Sequence, residues 1–84
     1  MSNINVCFVL SDNGSRINVQ TTSDAMFAEL AYKFFNKSGI KQEDNPTFIF
    51  CSQQLVISTC KSLEELGIRD GSRIEVIVGK IIGA

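Results

Sequence analysis

Eighty-four residues, 44 % hydrophobic and 20 % charged, make one small globular domain spanning 1–84. Its net charge of −1 gives no electrostatic basis for binding nucleic acid or an anionic membrane. No apolar run reaches the ~20 residues that span a bilayer, and with no histidine the commonest general base is missing.

The start, Met1-Ser2-Asn3, lacks a basic region followed by an apolar one, so no secretory signal is expected. Ile4, Val6, Phe8 and Leu10 then alternate with Asn5, Cys7 and Val9, the period of a half-buried strand. Ser11-Asp12-Asn13-Gly14 holds the Asn-Gly dipeptide of tight hairpins. Ile17 and Val19 resume the alternation, so the first twenty or so residues read as a β-hairpin.

Thr21-Thr22-Ser23-Asp24 ends that strand, and Ser23 or Asp24 is placed to cap a helix. The helix is expected over 25–37, with no proline or glycine. Phe27, Leu30, Ala31 and Phe34 fall at i, i+3, i+4 and i+7, one amphipathic stripe. Lys33 and Lys37 lie towards the negative end of the helix dipole, and Gly39 is the natural left-handed stop. Ile40 would fold back onto the helix end.

A polar loop, 41–47, holds the single proline, Pro46. Phe48 to Cys51 is a short strand, Ser52-Gln53-Gln54 a turn, and Leu55-Val56-Ile57 a second short strand. Ser62 caps a helical turn with Glu65 at the capping-box position. Leu66 and Ile68 point inward, Asp70-Gly71 turns the chain, and Arg73 to Val78 is the final strand. Hairpin, helix, two short strands, a helical turn and a closing strand make an α+β roll of one main helix on a mixed sheet of four to five strands. The closing strand can pair parallel to the first, which would make it central.

Taken together, these pieces resemble the ubiquitin superfamily, the β-grasp fold, over about Ile4 to Val78. The resemblance rests on the opening hairpin with its Asn-Gly turn, on KSGI (Lys37 to Ile40) closing the helix, on FIFCSQQL (Phe48 to Leu55), and on SLEELGIRDGSRIEVIV (Ser62 to Val78). It implies a folded part from 3 to 79, a flexible tail from 80 to 84, and a core of Ile4, Val6, Phe8, Ile17, Val19, Phe27, Leu30, Phe34, Phe48, Leu63, Ile68, Ile74 and Val76. Periodicity selects the same core residues.

The resemblance also implies a working surface, an aliphatic patch on the outer sheet face. Its centre falls on Ile49 and a second member on Ile77, and alternation independently turns both away from the core. Val9 joins them if the first, third and last strands are neighbours. The third corner falls on Ser11, which alters the patch, and Glu75 stands beside it where ubiquitin itself is basic or neutral. Gln53 and Asp70 occupy the family's two best-known chain-forming lysine positions, so neither carries an amine, whereas Lys33 and Lys37 match helix lysines.

The expected function is a non-catalytic protein–protein interaction module in the ubiquitin–proteasome or a related modifier pathway, cytoplasmic or nuclear. Val9, Ser11, Ile49, Gln53, Glu75 and Ile77 would carry partner binding. Partners would be other proteins, through small helices or loops, or a neighbouring domain, and the chain itself would be a monomer. The alternative is a divergent modifier conjugated through its tail after processing. Conjugating members end in Gly-Gly, and the Gly83-Ala84 end departs from that motif. No enzyme activity, cofactor or metal site is expected: Cys7, Cys51 and Cys60 form no C-x-x-C pair and read as reduced thiols.

Overall fold

The computed structural model describes residues 3–78. The strands are β1 (Asn3–Leu10), β2 (Arg16–Thr22), β3 (Pro46–Phe50), β4 (Gln53–Leu55) and β5 (Arg73–Val78), and the helix is α1 (Phe27–Ser38). Sheet order is β2-β1-β5-β3-β4. β5 runs parallel to β1 and antiparallel to β3, so the last strand is the central one. This is the expected α+β roll. The tail residues Gly83 and Ala84, and Gly79 at the expected end of the fold, lie outside the described residues.

The inward stripe of α1 and the inward-facing positions of the strands meet in one core. Val6, Phe8, Phe27, Leu30, Phe34, Leu63, Ile74 and Val76 have no exposed surface. Four phenylalanines hold its centre. The Phe48 ring lies 5.9 Å from Phe8, 5.3 Å from Phe27 and 5.7 Å from Phe34, each edge-on. Such edge-to-face pairs add about 0.5–1.5 kcal/mol each beyond the area they bury. Ala25, Ala31 and Leu55 also join the core. Ile17, expected within it, instead packs against it half-buried, because β2 is an edge strand with a neighbour on one side only.

Several boundaries move, each for a tertiary reason. The helix starts at Phe27 with Met26 as N-cap and no side-chain cap, not with Ser23 or Asp24. Met26 is extended and bridges Ser62, and the Ala25 carbonyl accepts the Leu63 N–H at 2.9 Å. This long-range pairing takes the residues that a local cap would have used. At the other end Gly39 (φ 81°) stops the helix in the left-handed conformation, and Ile40 packs against the core, both as read from sequence.

β3 begins two residues early at Pro46, a first-strand position that tolerates the missing N–H. The following turn is Cys51-Ser52, with φ of 52° and 65°, so β4 is Gln53–Leu55 in place of the expected 55–57. That register pairs Phe48 with Leu55 and buries both. In the first hairpin, Gly14 alone takes positive φ, and its N–H donates to the Leu10 carbonyl across a longer loop.

Two polar clasps hold the crossover to β5. The capping box forms as expected: Glu65 N–H donates to Ser62 Oγ at 3.2 Å and Ser62 N–H to Glu65 Oε1 at 2.8 Å. Asp70 Oδ1 accepts the Asn5 N–H at 2.8 Å, extending the β1–β5 ladder by one rung. On the far side of the sheet, Lys33 Nζ donates to the Gln20 carbonyl at 3.3 Å and Lys37 Nζ to the Asn18 carbonyl, both on β2.

Phe48→Ala is expected to cost about 3–5 kcal/mol, a large share of the ~5–15 kcal/mol available to a small domain. Urea unfolding followed by circular dichroism measures it. A loss under 1 kcal/mol would show that the aromatic centre is dispensable.

Candidate docking face

The side of the sheet away from α1 is built by alternation. Each inward core residue obliges its strand neighbour to point out. Burial of Phe8, with Leu10 packed half-buried on the same side of β1, turns Val9 out, burial of Phe48 turns Ile49 out, and burial of Ile74 and Val76 turns Glu75 and Ile77 out. Strand pairing then sets them side by side. Glu75 is the Cα partner of Val9 on β1 and of Ile49 on β3, and Ile77 pairs with Thr47. Gln54 closes this row beyond Ile49, and Arg16 closes it beyond Val9.

Val9, Ser11, Ile49 and Glu75 line one shallow depression, with Cys51, Ser52 and Arg73 at its rim. Ser11 is anchored there through its N–H to the Val76 carbonyl at 2.9 Å. Ile77 lies one pleat further along the same face, 38 % exposed. Gln53 is not brought to this face: it pairs with Phe50, whose side chain packs against the core, and Gln54 takes the position beside Ile49.

The sequence does not single out Arg73 or Gln54, and it marks Cys51 only as a reduced thiol. Arg73 was accessible by stepping back two residues from Glu75. Gln54 and Cys51 depended on the position of the turn, and Cys51-Ser52 carries no glycine or asparagine to announce it. The side chains of Glu75 and Arg73 have no hydrogen bond or ion pair among the described residues, and both residues are exposed.

Cys7, Cys51 and Cys60 are free thiols, and the described residues contain no cluster of three or more metal-ligating side chains. No helix among the described residues is long and apolar enough to cross a membrane. Among the described residues three other large apolar side chains are exposed: Met26 at the start of α1, Tyr32 on its outer flank and Val56 just after β4. They are not gathered on one strand face, whereas Val9, Ile49 and Ile77 share one sheet face.

Cys51 and Ser52 both hold positive φ, a conformation that costs a residue with a side chain about 1–2 kcal/mol and that Asn-Gly adopts readily. The double substitution Cys51→Asn and Ser52→Gly is therefore expected to stabilise the domain by about 1 kcal/mol or more. A urea midpoint that falls would contradict this turn geometry.

No protein-family model matches the chain, and no curated protein does by sequence. Solved structures do match. The UBL domain of yeast Ddi1 superposes with a TM-score of 0.81 at 16 % identity, over 98 % of this chain and 94 % of that one. Caldiarchaeum subterraneum ubiquitin gives 0.79 at 17 % identity, over 98 % of this chain and 100 % of that one. ATBAG1, solved in complex with HSP70, gives 0.77 at 18 % identity, over 93 % of this chain and 41 % of that one. The chain therefore has the ubiquitin-like β-grasp fold, carried by a sequence far diverged from these three.

Proposed function

We propose that the chain is a non-catalytic protein–protein interaction module that docks small helices or loops of other proteins on the face formed by Val9, Ile49 and Ile77. The observation that carries this reading is Ile77. It is an exposed isoleucine on the central strand, next to the fully buried Val76 and on one face with two further aliphatics. Fully burying such a side chain is worth roughly 1.5–3 kcal/mol. Association itself costs several kcal/mol, so three aliphatics support weak, reversible binding. Similarity to a UBL domain and to a protein solved with HSP70 is in keeping with protein partners. On this reading the module acts in the cytoplasm or nucleus, in the ubiquitin–proteasome or a related modifier pathway.

A second reading draws on the likeness to an archaeal ubiquitin: a modifier conjugated through its tail. It requires processing, either from a longer precursor or by removal of Ala84 so that Gly83 becomes the acyl terminus. A thioester with a cognate activating enzyme would support it, and no charging of either the full or the trimmed chain would dismiss it.

Ile49→Ala and Ile77→Glu are each expected to abolish capture of partners from cell extract, while Tyr32→Ser on the helix leaves capture intact. Circular dichroism melts of all three should stay close to the parent. Unfolding of the sheet variants would assign those residues to the core, and undiminished capture would refute the docking face.

A further inference from the structure

Glu75 occupies the middle of the proposed face. Val9 pairs with it on one side and Ile49 on the other, so a partner that covers both aliphatics also removes water from the carboxylate between them. An ionised carboxylate left dry and unpaired is costly, and no described side chain neutralises it. Arg73 is two residues back on the same strand and face, also exposed and unpaired, and Ile77 is two residues forward. Arg16 stands farther off, across Val9 on the edge strand.

A strand advances about 3.3 Å per residue, so guanidinium, carboxylate and isoleucine follow one another along β5 at about 6.6 Å. An α-helix brings residues i, i+4 and i+8 to one face at about 6 Å intervals. The two spacings match over three positions. Building on the docking face proposed above, we propose that its occupant is an amphipathic helix with a lysine or arginine over Glu75, an aspartate or glutamate one turn away over Arg73, and an aliphatic residue one turn the other way over Ile77. Both charges of the face are then paired as its aliphatics are covered. A second copy stacked through a two-fold axis would also set Arg73 against Glu75. A stable pair needs about 800 Å² from each partner, and one shallow depression lined by Val9 and Ile49, with Ile77 one pleat away, favours a single helix instead.

The test uses two synthetic helical peptides of identical composition. One carries glutamate, lysine and leucine at successive positions four apart. The other exchanges the glutamate and lysine, which sets an acid over Glu75 whichever way the helix lies. Each is titrated into 15N-labelled protein while the amides of residues 9, 49, 75 and 77 are followed, alongside sedimentation of the protein alone. The first peptide is expected to bind about fivefold more tightly at low salt, since an exposed ion pair is worth up to about that factor, and salt should narrow the gap. The double variant Arg73→Glu with Glu75→Arg should reverse the preference. Glu75→Gln, which keeps the shape, should weaken the discrimination.

Equal binding of both peptides at these amides, or no reversal in the charge-exchanged variant, would overturn the charge pairing and leave the docking face standing. Failure of both peptides to shift these amides would overturn the docking face and the pairing with it. Concentration-dependent self-association that the charge exchange leaves intact and Glu75→Gln removes would overturn the helix in favour of a second copy.

Discussion

The edge-on contacts of the Phe48 ring with Phe8, Phe27 and Phe34 tie β3 to β1 and to the helix at one point. The pleat carries the consequence outward. With Phe48 seated in the core, Ile49 must face solvent, and Val76, the Cα partner of Phe48 on β5, turns Ile77 out in the same way. The proposed docking face is thus the reverse side of the aromatic cluster. A one-residue slip of β3 would bury Ile49, expose Phe48 and dismantle core and patch together.

The patch is neither purely apolar nor built on loops. Its three aliphatics sit on β1, β3 and β5, which are hydrogen-bonded neighbours in the interior of the sheet. Their spacing is therefore fixed by backbone ladders. Charge enters along β5, through Arg73 and Glu75, and at the end of the row beyond Val9, through Arg16. Such a surface gives a partner little freedom in how it lies, because shape is uniform across the pleat and the charges supply the only direction.

Much of this was legible in the residues, because the governing signals are local periods. Alternation in β1 and β5, the helical stripe of Phe27, Leu30, Ala31 and Phe34, the Gly39 stop and the Ser62–Glu65 capping box all depend on residues within one element. Outward placement of Ile49 and Ile77 follows from the same alternation. Features that depend on distant pairing were not legible. Ser23 and Asp24 satisfy every local rule for a cap, yet the 62–63 segment reaches over and claims Ala25 and Met26. The Cys51-Ser52 turn lacks turn-forming residues, and its position decided whether Gln53 or Gln54 stood beside Ile49. No local rule pointed to the link between Asp70 and Asn5, sixty-five residues apart.

Lys33 and Lys37 read from sequence as cations at the negative end of the helix dipole; exposed as they are, their ammonium groups also donate to the carbonyls of Gln20 and Asn18. Asn5 and Cys7, the partners of those two residues on β1, direct their own backbone bonds towards β5. By the antiparallel pattern the Gln20 and Asn18 carbonyls then point away from β1, to the open margin of the sheet. Two cations therefore stand guard where an intruding strand would have to attach, and such a strand would first have to strip both of their acceptors. At the opposite margin β4 has only three residues, too short a template to extend. The sheet is closed to lengthening at both sides, and its broad face is left as the surface on which other molecules can be read.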